Sequence, residues 1–308
     1  MFQTTLKSAV ECTGVGIHSG APVNMTLKPA RAGTGIQFRR MDVKGRAAYV
    51  PARFDLVSST RLGTTLTNQS GVSVHTVEHL MAAFAGLGVD NAVVEIDGPE
   101  LPIMDGSSSA FVFLIDCAGL ETQDSPRLML RVKKRVAVGD GVKLAELLPA
   151  DDFSLEVGIE FASAAIAKQR YLFSMSPDGF KRDIARARTF GFKHEVDMLR
   201  ANGLARGGSL DNSIVIDGDA ILHEGGLRFG DEFARHKLLD AIGDLALAGA
   251  PLMAHFRGVR CGHELNNQLL RELFADAAAY EFVSFDPALA FIARPPMSAT
   301  MQVPVAAD

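Results

Sequence analysis

Tryptophan is absent, cysteine occurs only three times, and no long uninterrupted apolar run is present in the 308 residues. Each shortage excludes something. Cys12, Cys117 and Cys261 are odd in number, far apart and in no C-x-x-C pair, so neither a disulfide framework nor a cysteine-built zinc knuckle is expected. Reduced thiols are the preferred reading, and Cys261, two residues before His263, is weak evidence for a nucleophile. The most apolar segment, 245–253, is short and broken by Pro251, and the first residues lack the basic stretch and apolar run of a secretory signal. A cytoplasmic chain with no stable membrane insertion is expected. Positive charge is equally unconcentrated: 31 basic residues against 36 acidic ones give a net charge of −5, which argues against a nucleic-acid partner. Phosphate-cradling loops are missing too. Gly14-Val15-Gly16-Ile17-His18-Ser19-Gly20 lacks G-x-G-x-x-G spacing, and there is no Walker A sequence or G-x-S-x-G elbow.

What is present suits two moderate cores, since the chain is 47% hydrophobic and longer than one ordinary domain. Residues 1–75 alternate short β-rich runs with Gly and Pro, and read as sheet and turns. Val77, Leu80, Met81 and Phe84 then fall at i, i+3, i+4 and i+7, one apolar helix face that stops near Gly86-Leu87-Gly88. A strand at 92–96 and a helix at 109–118 follow. Polar Glu121-Thr122-Gln123-Asp124-Ser125-Pro126 separates two apolar regions, which sets domains at 1–123 and 124–308. Beyond it, strands at 129–138 and 154–160 precede a helix entered through Ser176-Pro177. Helices at 231–248 and 264–279, with a strand at 252–256 between them, mirror the helix, strand, helix series of the first half. The expected class is α+β, with two similar layers packed together.

In the 231–248 helix, His236, Asp240 and Asp244 recur every four residues on one face, while Leu238, Leu239, Ile242 and Leu245 cover the rest. A buried unpaired carboxylate is costly, so such a stripe is normally paired, hydrogen-bonded or bound to metal, and a surface stripe is the bland alternative. His75-Thr76-Val77-Glu78-His79 sets a carboxylate beside an imidazole at a helix start. Open catalytic zinc sites use three such protein ligands plus water, and His79 with His236 and Asp240 supplies that set, leaving Glu78 as the base. The same segment also matches H-x-x-E-H, the inverted zinc-peptidase pattern, in which His75 and His79 would both bind metal. The preferred reading keeps His75 as a helix-start residue. His263, directly after Gly262, sits at the mouth of a helix. A lone histidine there is commonly structural, but beside a metal it is a candidate to stabilise an oxyanion and protonate a leaving amine.

With these residues in view, the chain resembles the UDP-3-O-acyl-N-acetylglucosamine deacetylase family nearly end to end. The resemblance is carried by the run 14–20, by Thr76-Val77-Glu78-His79-Leu80, by Pro102-Ile103-Met104-Asp105-Gly106-Ser107 and by Ala187-Arg188-Thr189-Phe190-Gly191-Phe192. It is carried further by Gly207-Gly208-Ser209-Leu210-Asp211-Asn212, by the run 235–245 and by Gly262-His263-Glu264-Leu265-Asn266-Asn267. The resemblance implies a β-α-α-β sandwich with the active site between the domains. It implies one Zn2+ per chain, or Fe2+ in the cell, on His79, His236 and Asp240. Glu78 is then the base, and His263, oriented by Asp244, assists the leaving amine. Thr189 becomes an oxyanion donor, Lys237 a cationic substrate contact and Phe190 a wall beside the sugar.

The implied reaction is removal of the N-acetyl group from UDP-3-O-[(3R)-hydroxyacyl]-N-acetylglucosamine, the committed step of lipid A biosynthesis, by a monomeric enzyme. The family also has an acyl passage, here matched by an insert at 193–215 with Val196, Ala205, Leu210 and Val215, and by the loop around Leu62. Without the family, helix-end threonine, solvated lysine and core phenylalanine would be the ordinary readings of Thr189, Lys237 and Phe190. One stretch departs from the pattern: Phe161-Ala162-Ser163-Ala164-Ala165-Ile166 stands where the family usually shows a His-Pro pair after the phenylalanine. The rival readings are a zinc peptidase and a non-catalytic nucleotide-sugar-binding protein.

Overall fold

The computed structural model describes residues 1–284. A five-stranded sheet runs in the order Val10–Val15, Pro22–Pro29, Ala92–Ile96, Ile36–Arg40, Tyr49–Pro51. In Pro22–Pro29 the alternate residues Val23, Met25 and Leu27 are buried and Asn24 is exposed, the period-two signature of a sheet with one face on a core. Ile36–Arg40 lies parallel to Ala92–Ile96, and a parallel pair needs a long crossover. That crossover contains the helix Glu78–Leu87. Leu80, Met81, Phe84 and Leu87 bury its apolar face, and Gly88 ends it at φ 75, its N–H turned back to Phe84 and Ala85. The helix Ser109–Ala118 occupies the expected range.

In the second half, Leu252–Val259 is the hub of a seven-stranded sheet, antiparallel to Leu144–Pro149 and parallel to both Phe153–Glu160 and Leu128–Val132. The helices Glu232–Ala246 and His263–Ala275 pack on this sheet, and Glu78–Leu87 packs on Glu232–Ala246. The layers therefore run sheet, helices, helices, sheet, as the family resemblance implies. At the central crossing a Cβ on Gly243 would stand 2.0 Å from the Glu78 carbonyl oxygen, so only glycine lets the two backbones approach this closely.

Several boundaries differ from expectation. The strand at 129–138 is two strands, Leu128–Val132 and Val136–Gly139, because exposed Lys134 and Arg135 turn the chain between them. The polar segment at 121–126 is not a free linker: Leu120–Pro126 pairs antiparallel with Phe2–Leu6. Polar composition reports exposure to water, and backbone groups pair whatever their side chains do. Ser176 accepts from the Gly179 N–H as a cap should, yet the helix it opens, Pro177–Gly179, passes at once into a wider turn over Phe180–Ile184. The last helix stops at Ala275, where Asp276 leaves helical geometry. The insert forms helix Lys193–Ala201 and leads into strand Ile214–Asp217, which runs parallel to Phe190–Phe192, the strand just before the insert. Among the described residues, no helix is long and apolar enough to cross a membrane.

Candidate metal centre and active site

The helix Glu232–Ala246 presents His236 and Asp240 one turn apart, and His79 faces them from the first turn of Glu78–Leu87. His236 Nε2 and His79 Nε2 lie 3.3 and 3.6 Å from Asp240 Oδ1, and the imidazoles meet edge to face at 5.0 Å. One donor atom from each of the three fits within 4.8 Å of the others, and all three side chains are buried. His236 Nδ1 donates to the Ala187 carbonyl at 3.1 Å, which turns the Nε2 lone pair toward Asp240. Burial pushes the His236 pKa down to about 4, so the ring is neutral, as a ligand must be.

Burial alone would protonate Asp240, but the Lys237 ammonium beside it holds its carboxyl well below the usual range. Lys237 Nζ donates to Asp240 Oδ2 at 2.9 Å, whereas buried Oδ1 has no hydrogen-bond partner. An ionised carboxylate with one orphaned oxygen beside two imidazole nitrogens is a donor set that fits a divalent cation. His75 does not join this cluster. It is a bridge residue against Glu100 rather than part of the helix, and its Nδ1 faces Thr65 Oγ1 at 3.3 Å.

The acid-base candidates flank the cluster. Glu78 is buried, which raises its pKa, and its Oε2 accepts the Thr64 N–H at 3.0 Å. His263 Nδ1 donates to Asp244 Oδ2 at 2.8 Å. Burial disfavours the imidazolium, but the Asp244 carboxylate more than offsets it and raises His263 to about 10. A carboxylate acceptor and a cationic donor thus face one centre. Asp244 accepts two further hydrogen bonds, from Thr64 Oγ1 at 2.6 Å and Asn266 Nδ2 at 2.9 Å. Neither donor was anticipated. Asn266 lies three residues after His263 on the same helix, so its spacing carried a usable signal. Thr64 is 180 residues from Asp244 and carried none. Burial pushes the Cys261 thiol up to about 12, which removes it as a thiolate nucleophile.

Backbone strain gathers at this edge. Thr76 and Leu62 hold positive φ values of 59 and 64, rare for side-chain-bearing residues and seldom kept without a local constraint. Thr189 is half-buried, its N–H bound to the Gly106 carbonyl at 2.8 Å, two residues beyond the carbonyl that orients His236. Phe190 stands edge-on to His236 at 6.2 Å, and Lys237 Nζ lies 5.4 Å from its ring centre, so an aromatic face, an ammonium and an imidazole of the candidate metal cluster share one corner. Phe161 packs on Phe190 at 5.9 Å, so the divergent 161–166 loop reaches the site through one aromatic contact.

The residues expected along an acyl passage are more scattered. Leu62 is 43% exposed, and its carbonyl faces His18 Nε2 at 3.2 Å. Val196 is half-buried against Gly191, Ala205 is buried at φ 51, Leu210 is 44% exposed and Val215 is half-buried in the strand Ile214–Asp217. The insert is tied to the first half of the chain by backbone bonds from Arg206 to His18 and from Gly207 to Ile17, at 3.2 and 3.0 Å.

A buried cluster of two histidines and an aspartate, with a carboxylate and a cationic histidine beside it, defines a metalloenzyme of hydrolytic type. The sequence profile of the UDP-3-O-acyl N-acetylglycosamine deacetylase family matches residues 3–275. UDP-3-O-acyl-N-acetylglucosamine deacetylases from Idiomarina loihiensis and Vibrio campbellii are 50% and 51% identical over 286 residues, 92% of this chain and 93% of theirs. That of Pasteurella multocida is 49% identical over the same shares. The chain belongs to this family of deacetylases.

Proposed function

We propose that the chain is a zinc-dependent hydrolase that removes the N-acetyl group from UDP-3-O-[(3R)-hydroxyacyl]-N-acetylglucosamine, releasing acetate and the free amine in lipid A biosynthesis. The observation that carries this reading is the convergence of His79, His236 and Asp240 on one point, with an orphaned carboxylate oxygen among them. These three residues would hold the ion. Zinc there supplies Lewis acidity and lowers the pKa of water toward about 7. Fe2+ is the second candidate, since the donor set accepts both.

Glu78, an acceptor whose pKa burial raises, takes the proton from the attacking water. Thr189 donates to the oxyanion formed at the acetamide carbon, and the His263 imidazolium steadies the same charge. As the C–N bond breaks, His263 gives its proton to the leaving amine. Asp244 keeps that imidazole charged and oriented, Lys237 supplies a fixed positive charge and Phe190 a flat wall for the sugar. Leu62, Val196, Ala205, Leu210 and Val215 are assigned to the acyl chain. The protein is read as a cytoplasmic monomer dividing near 123/124, the first part contributing Glu78 and His79 and the second the remaining catalytic groups.

The test is acetate release from the acylated UDP-sugar together with metal analysis, before and after chelation, for the wild type and His79→Ala. Loss of metal and turnover in the variant is expected. Unchanged metal content and rate would overturn the assignment.

A further inference from the structure

We infer that Thr64 is a positioning residue of this reaction, its hydroxyl fixing the Asp244 carboxylate that orients His263 while its backbone N–H fixes the Glu78 carboxylate. The inference rests on the function proposed above. Thr64 is 1% exposed and sits where the loop after Val57–Ser59 enters the strand Thr65–Thr67. Its Oγ1 donates to Asp244 Oδ1 at 2.6 Å, its N–H donates to Glu78 Oε2 at 3.0 Å, and its carbonyl accepts the Val77 N–H at 3.3 Å, just ahead of the helix bearing Glu78. One residue therefore holds both the base and the carboxylate that orients His263.

The geometry explains why a hydroxyl is wanted. Asp244 Oδ2 is shared by His263 Nδ1 and Asn266 Nδ2, both on the helix His263–Ala275. Two donors on one oxygen leave the other oxygen free to swing, and Thr64 closes that freedom from the opposite half of the chain. In the loop behind it Leu62 is strained at φ 64, next to Gly63 at φ 147, a value glycine adopts freely, and the Leu62 carbonyl is 3.2 Å from His18 Nε2. Strain persists only where surrounding contacts over-determine it. The charged groups facing His263 are Asp244, Glu78 and Asp240, so the rotation of Asp244 decides where the imidazolium proton points.

The experiment uses the zinc-loaded full chain as Thr64→Val, which keeps the shape and the backbone N–H, and as Thr64→Ser, which keeps the hydroxyl. Thr64→Ala serves if the valine variant does not fold. A hydrogen bond to a charged group predicts a fall in kcat of about ten- to a hundredfold for Thr64→Val, with KM and zinc content unchanged. Thr64→Ser should recover most of it, and in an Asp244→Ala background Thr64→Val should cost no more than about twofold, as for residues that act as a unit. Independently of turnover, the proton between His263 Nδ1 and Asp244 should appear far downfield by NMR in the wild type and Thr64→Ser, and move or broaden in Thr64→Val. A folded valine variant with wild-type kcat, a full loss repeated in the Asp244→Ala background, or an unmoved proton signal would overturn the inference. A wild type that releases no acetate sinks the proposed reaction instead, and the NMR comparison still decides what Thr64 holds.

Discussion

The crossing of the two central helices makes a sharp prediction for Gly243→Ala. The added methyl would stand 2.0 Å from the Glu78 carbonyl oxygen, 2.8 Å from its carbonyl carbon and 3.0 Å from its Cα. Carbon and oxygen need about 3.3 Å, so the helices must part by roughly 1.3 Å at that point. Overpacking of this kind costs about 1–3 kcal/mol. Alanine returns up to about 1 kcal/mol of helix propensity, so the net loss of stability should be modest. Function should suffer far more. His79 is the next residue after Glu78, and Gly243 lies one turn beyond Asp240, so the displacement falls directly between ligands from opposing helices. A misplacement of about 1 Å can cost a hundredfold in rate. We expect kcat/KM to drop by about that factor and metal affinity, measured by chelator competition, to fall with it while urea unfolding remains cooperative. An alanine variant that binds metal and turns over like the wild type would refute this account of the crossing.

Other expectations follow from single contacts. Glu232 is fully buried and accepts from the Arg188 N–H, Nε and Nη2 at 2.9–3.1 Å, so Glu232→Ala should destabilise by about 3–5 kcal/mol in urea unfolding, and a change within error would refute it. Asp244 raises His263 to about 10 in the folded chain, so this pair's stabilisation is fully present below the ordinary 6.5 and is lost as pH rises through 10. The stability gap between wild type and His263→Gln should therefore shrink from about pH 6 to pH 10, and a gap that widens contradicts the assignment. Thr189→Val, without an oxyanion donor, should lose about 10²–10³ in kcat with metal retained, and a rate near wild type removes Thr189 from the mechanism.

Much of the site was legible because it is local. His236, Asp240 and Asp244 stand on one face by helical spacing alone, and the Ser109–Ala118 helix was readable from its own residues. The link from that stripe to Glu78 and His79 rested on ligand chemistry, an open zinc site wanting three protein ligands and a base, and the resemblance agreed with it, since periodicity cannot say which helix meets which. Where reading failed, a partner lay far along the chain. Leu120–Pro126 looked like a linker because its side chains are polar, yet the N-terminal strand satisfies its backbone.

By itself the sequence determined the helices Glu78–Leu87, Ser109–Ala118 and Glu232–Ala246 and the stripe of metal-binding residue types, because short-range periodicity and side-chain chemistry act within a few residues. Only the tertiary structure decided that Thr64 reaches Asp244 across 180 residues and that Gly243 lets two backbones touch. Only it, too, set His263 near 10 and His236 near 4. Identical imidazoles diverge this far because burial and the nearest charge set protonation, and both are properties of the packed chain.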